Sequence, residues 1–199
     1  LNIEFNEDQH SYTLDGTPVP SVTTVLSSVG ISDFSMVDDE TLTRAVNYGQ
    51  SVHNMTQLHD EGRLDESTLD PKLKVTLDLW REFKSKYISE WIGIEMRVAS
   101  KKYGYAGTMD RVAVSKDNEL WLPDIKTGVK TIAHPIQTAA YENAFREMTG
   151  EKKRINRMTI YLNTKIKVEF YGKTSHEFKR DFNLFRCALT VHKFKTKGA

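Results

Sequence analysis

Cysteine is almost absent from this chain: one, Cys187, occurs in 199 residues. A single thiol cannot form an internal disulfide, so packing must hold the fold, and a reducing cytoplasm is the expected compartment. No run of about 18 apolar residues occurs, which excludes a membrane-spanning helix. The opening, Leu1–Asp8, carries neither a basic leader nor an apolar stretch, so no signal peptide is expected. Internal repeats, low-complexity tracts and a Walker-type Gly-rich loop are all missing, and with the last goes any built-in nucleotide motor. Net charge is scarce too, at only +1. What is present is a hydrophobic content of 39%, ample for a packed core and pointing to one domain over residues 1–199.

The small net charge hides an uneven distribution. Residues 151–199 hold 13 Lys or Arg against 4 Asp or Glu, whereas residues 1–150 hold 15 against 23. An acidic body followed by a basic quarter suggests a polyanionic partner, although Lys-rich helix faces are commonly just solvated.

Hydrophobic spacing gives the order of elements. Ile3 and Phe5 face Tyr12 and Leu14 as a hairpin, Asp15-Gly16 suits a tight turn, and Pro18 and Pro20 are expected to end regular pairing. Ser21 is placed to cap a short helix carrying Val22, Val25 and Leu26. A helical pattern covers Asp39–Leu58, with Leu42, Ala45, Val46, Gly49, Val52 and His53 on one stripe. Another runs from Pro71 to Tyr87. Strands are expected at Ile92–Ala99, Tyr105–Ser115 and Leu120–Thr127, then a helix at His134–Met148 closed by Gly150. Strands at Arg157–Leu162 and Lys167–Tyr171 and a last helix carrying Phe178, Phe182, Phe185 and Leu189 complete the pattern. The expected fold is α/β: a central mixed sheet flanked by helices, in residues 91–199, after an N-terminal hairpin and helical part in residues 1–90.

Chemistry concentrates in Gly107-Thr-Met-Asp110 and Pro123-Asp-Ile-Lys126-Thr127. Side chains two apart on a strand share a face, so Asp124 and Lys126 project together while Ile125 points into the core. If the two strands pair, Asp110 lies near Asp124, and clustered carboxylates call for a cation. Hard oxygen ligands favour Mg²⁺ or Mn²⁺. A lysine beside them can hold phosphate or water and stabilise developing negative charge. Alone, an Asp-x-Lys pair on a strand is usually a surface ion pair.

Its context is not usual. Pro20-Ser-Val-Thr-Thr-Val-Leu26, Gly49-x-x-x-His53, Glu95, Gly107-x-x-Asp110, Asp124-x-Lys126 and Gln137-x-x-x-Tyr141 resemble, in order and spacing, the RecB-like branch of the PD-(D/E)XK nuclease superfamily. The resemblance covers roughly residues 12–145. It implies the restriction-endonuclease-like fold and hydrolysis of DNA phosphodiesters with one or two Mg²⁺ or Mn²⁺ ions. It assigns Asp110 and Asp124 as metal-binding carboxylates, the Ile125 carbonyl as a backbone ligand and Lys126 as the catalytic lysine. His53 would join the metal shell, as would Glu95, at a more variable position. Gln137 and Tyr141 would steady the site and touch the DNA. The four cysteines with which some members hold an iron–sulfur cluster are missing, so none is expected.

Lys152, Lys153, Arg154, Arg157 and the Lys193/Lys195/Lys197 tail are candidates to track a DNA strand. Tyr103, Tyr105 and Trp121 are candidate stacking surfaces, with core packing favoured for Trp121. His10, His59, His134, His176 and His192 have no partner motif and are read as structural or surface residues. The expected activity is an exonuclease acting on single-stranded DNA ends in phage or bacterial recombination or repair, with a recombination protein as a conceivable partner and no membrane. Its rivals are an endonuclease of the same fold, a non-catalytic DNA-binding module, and a metal hydrolase with another substrate.

Overall fold

The computed structural model describes residues 1–7, 9–32, 36–172 and 174–197, without the side chain of Lys197. Lys197, one of the strand-tracking candidates, therefore lies outside the described side chains. Three short strands, β1 (Ile3–Asn6), β2 (Ser11–Leu14) and β3 (Thr17–Val19), form an antiparallel sheet. Asp15 and Gly16 make the β2–β3 turn with φ of 49° and 79°, the left-handed backbone that a two-residue hairpin requires. Pro18 does not end pairing as expected: it sits opposite Thr13 in β3. It is tolerated because β3 is an edge strand, with a ladder on one side only.

Helix α1 (Val22–Ser28) is capped by the Ser21 hydroxyl, which accepts from the Thr24 amide at 2.9 Å. Helix α2 (Asp39–Asp60) is capped by Asp38, and a single 3-10 turn at Glu66–Thr68 leads to α3 (Pro71–Tyr87). Asp70 caps α3 and Pro71 takes its first turn, where a missing N–H is harmless. Leu77, Trp80 and Phe83 then form its buried stripe. In α2 the stripe is shorter than its periodicity predicts: Val52 is buried, but Ala45 and Val46 are exposed, because the packing face starts only in the second half of the helix.

The main sheet runs β4 (Ile88–Ser100), β5 (Tyr105–Ser115), β6 (Leu120–Lys126), β7 (Ile155–Leu162) and β8 (Ile166–Tyr171), in that spatial order. All neighbours are antiparallel except β6 and β7, which are parallel and joined by the crossover helix α4 (Ala133–Thr149). Helix α5 (Ser175–Lys197) ends the chain. One core packs α1, α4 and α5 on one face of the sheet; a second packs α2 and α3 on the other. Strand β4 starts at Ile88 and not Ile92, running straight on from α3 and absorbing two register shifts before Gly93. Among the described residues no helix is long and apolar enough to cross a membrane.

Candidate active site

Strands β5 and β6 pair only at Ala113/Trp121 and Val114/Leu120, then separate. Continuing that register puts Asp110 opposite Asp124, and there a side chain replaces the ladder: Asp110 Oδ2 accepts the Ile125 amide at 2.6 Å. The gap between the strands is the floor of the site. On the far side of β5, Glu95 lies between the pairs Ile94/Arg111 and Met96/Met109, opposite Asp110. Directly opposed carboxylates repel. Glu95 also holds a φ of 46°, which a non-glycine residue seldom adopts. Strained backbone and facing like charges at one point mark a place organised for something other than stability.

Helix α2 supplies the third group. His53 Nε2 donates to the Ile125 carbonyl at 3.1 Å, which fixes the ring and turns Nδ1 toward Asp110 Oδ1 at 3.5 Å and Glu95 Oε1 at 3.9 Å. Burial disfavours a charged imidazole, but Asp110 and Glu95 outweigh it and raise the His53 pKa above its ordinary value. One ligand atom each from His53, Glu95 and Asp110 lie within 4.8 Å of one another, a group that could hold a metal ion. Gly49, one turn before His53, brings α2 close to the end of β6: a Cβ there would stand 3.4 Å from Thr127 Oγ1.

Asp124 stands beside this group, not in it. It is 3% exposed; its Oδ1 accepts Gln137 Nε2 at 3.2 Å, and Lys126 Nζ lies 2.8 Å from its Oδ2. Lys126 is thus the close cationic partner of Oδ2. Burial pushes the Asp124 carboxyl upward, Lys126 opposes this, and the nearby Asp110 charge adds to the rise. Burial likewise works against the Lys126 ammonium, yet Asp124 and Asp110 hold its pKa above the usual lysine value. Lys126 is therefore a cation here.

Gln137 Nε2 also reaches the Tyr141 hydroxyl at 3.3 Å, so both residues sit one layer behind the carboxylates. Tyr141 packs against Gly107, where a Cβ would stand 2.7 Å from Tyr141 Cε1. Gly107→Ala is accordingly expected to displace the Tyr141 ring and destabilise the fold by about 1–3 kcal/mol. Chemical denaturation measures this, and an unchanged midpoint would show that the contact relaxes freely.

Several expected roles change. Arg157 is fully buried and paired to Glu142 and Asp181, so it cannot track a strand. Tyr105 is also fully buried, its hydroxyl donating to the Ala140 carbonyl, and Trp121 is 6% exposed; neither offers a stacking face. Tyr103 packs edge-on against Phe182. Lys152, Lys153 and Arg154 precede Ile155, which pairs with Leu120 at the end of β6 remote from Lys126. At about 3.3 Å per residue, the start of β7 is some 13 Å from the level of Asp124. Of the basic tail, Lys193 Nζ donates to the Tyr103 carbonyl and Lys195 Nζ to that of Ser28.

Two residues emerge that sequence reasoning did not single out. Arg111, fully buried against Trp80 and Trp91, reaches Glu95 Oε1 at 3.3 Å and Asp60 Oδ2 at 2.9 Å. It neutralises part of the acidic pair and ties it to the end of α2. His134 takes the structural one of its two expected readings: it is 7% exposed, and its Nδ1 is 2.8 Å from the Tyr161 hydroxyl. Burial and then Lys126 lower its pKa. Its spacing of three from Gln137 on α4 was the available signal.

No family model matches this chain, and no curated protein matches it. Among solved structures it is similar to the crystal structure of a protein from Eubacterium rectale provisionally named an exonuclease, at a TM-score of 0.46 and 14% identity. The match covers 70% of this chain and 64% of the length of that one.

Proposed function

We propose that this chain is a metal-dependent deoxyribonuclease of the RecB-like PD-(D/E)XK kind, acting from free single-stranded ends. The observation that carries this reading is the convergence of His53, Glu95 and Asp110 on one point, beside a buried Asp124–Lys126 pair. A resting protein gains nothing from facing carboxylates on strained backbone; a cation at that point offsets their repulsion.

The residues fit such an ion. His53 Nδ1, Glu95 and Asp110 would hold it, with Asp124 as a further oxygen donor beside them; the Ile125 carbonyl, expected as a backbone ligand, bonds Nε2 on the other side of the His53 ring. One nitrogen among oxygens suits Mn²⁺ better than Mg²⁺, which keeps to oxygen. When bound, the ion would lower the pKa of a coordinated water and neutralise charge on the phosphate. The chain's own contribution is placement. Lys126, as a cation, positions the phosphate and stabilises charge building on its oxygens, and Gln137 keeps Asp124 in register. Arg111 holds Glu95 from behind.

Cleavage is expected to need Mn²⁺ or Mg²⁺ and to stop in excess chelator. Full activity after metal stripping would remove the mechanism. The end requirement is checked with equal masses of linear and circular single-stranded DNA. Circles nicked as fast as linear strands shorten would make the enzyme an endonuclease.

Lys152, Lys153 and Arg154 enter this reading only for longer strands, since they lie at the other end of β6 and β7. Neutralising all three is expected to lower the salt slope of binding by up to about two units for a 20-nucleotide single strand. A six-nucleotide strand should show no change. Equal changes for both lengths would place the cluster beside the site after all.

A further inference from the structure

On the α4 side of Lys126 a cleft of about 550 Å³ opens between α1 and the start of α4, walled by Thr23, Thr24, Ser27, Lys126, His134 and Gln137. We infer that this cleft is the subsite for one unpaired nucleotide adjoining the cleaved bond, with His134 as its fixed hydrogen-bonding residue. The inference rests on the nuclease reading and adds where the substrate lies.

Size is the first argument. Pockets for small ligands span roughly 300–1,000 Å³, so this cleft holds one nucleotide but not a base still paired to a second strand. Composition is the second. A groove that tracks a run of phosphates needs several cations. Among the described lining residues Lys126 is the one cation; the others offer hydroxyl, amide and imidazole groups, with Ile31 and Ala133 as apolar surface. Such a lining suits a sugar and a base.

Preorganisation is the third. The Ser21 hydroxyl bonds Thr23 Oγ1 at 3.0 Å and Thr24 Oγ1 at 2.7 Å, so the rim on α1 is already ordered. With Nδ1 of His134 engaged by Tyr161, any bond from that ring to a ligand goes through Nε2. Lys126 both lines the cleft and pairs with Asp124. A phosphate held by Lys126 therefore stands at the cleft mouth, with its attached nucleotide inside.

The test uses Ser27→Trp, which fills the cleft from an exposed helix position, and His134→Gln. Two readouts are taken: Mn²⁺-dependent hydrolysis of a hexathymidylate against bis(p-nitrophenyl) phosphate, and fluorescence anisotropy of labelled hexathymidylate with Ca²⁺. Each variant is expected to lower kcat/KM for the hexamer about tenfold more than for the small diester, with a matching loss in anisotropy affinity; tenfold is about one hydrogen bond. Thermal melts check that each variant is folded before its losses are compared. Equal losses on the two substrates with unchanged hexamer affinity in Ser27→Trp would overturn the subsite. Failure of the nuclease reading looks different: the unmutated chain would hydrolyse neither substrate, while anisotropy would still report whether the cleft binds the hexamer.

Discussion

Asp124→Asn and Lys126→Ala are each expected to cut the turnover of single-stranded DNA by at least about 10²–10³-fold, the usual effect of removing one preorganised electrostatic group. They should part company in stability. Asp124 is almost wholly buried and its carboxyl is pushed upward by that burial. An amide of the same shape removes the cost of burying that charge but leaves the Lys126 ammonium with only the Asp110 and Glu95 charges around it, so Asp124→Asn should melt close to the native temperature. Lys126→Ala instead leaves the carboxylate without its cation, and the melting temperature should fall. Single-turnover assays on end-labelled DNA, with thermal melts alongside, check both halves. A native rate in Asp124→Asn would put the chemistry elsewhere.

Arg157→Ala is expected to be strongly destabilising, by about 3 kcal/mol, because it removes the partner shared by two buried carboxylates, leaving Glu142 with Arg146 alone and Asp181 with Arg180 alone. The guanidinium lies 3.0 Å from both Glu142 Oε2 and Asp181 Oδ2, and Nη1 donates to the Pro135 carbonyl at 2.7 Å. It thereby joins β7, α4 and α5 in one contact. Urea unfolding measures the loss, and a change under about 1 kcal/mol would contradict it. Turnover per folded molecule should be native. A large loss of DNA affinity with intact stability would return Arg157 to the role its charge first suggested.

Most element positions were legible because their signals are local. Pro71 in a first turn placed the start of α3, and the alternation through Tyr105–Ser115 matched β5. Missed features depend on contacts distant in sequence. Nothing in Ile88–Trp91 announces a strand, since α3 passes into β4 without Gly, Pro or Asn between them. Arg157 reads as a surface charge until α4 and α5 bring Glu142 and Asp181 around it. At the site, Asp110, Asp124 and Lys126 stood out by spacing on adjacent strands. That Asp124 lies outside the His53–Glu95–Asp110 group follows from the separation of β5 and β6, which no local pattern encodes.

The three convergent groups come from three separate elements: His53 from α2, Glu95 from β4 and Asp110 from β5. The β4–β5 hairpin alone carries Glu95 opposite Asp110, but His53 joins them only when α2 has docked, so a half-folded chain has at most two carboxylates with which to chelate. A metal held there would bind the native state more tightly than any partly folded one, and that difference in binding free energy would count toward folding. At a free concentration one hundred times its dissociation constant, that amounts to at most about 2.7 kcal/mol. Metal depletion would then leave the chain easier to unfold as well as idle, giving proteases more access to the apo form than to the loaded one.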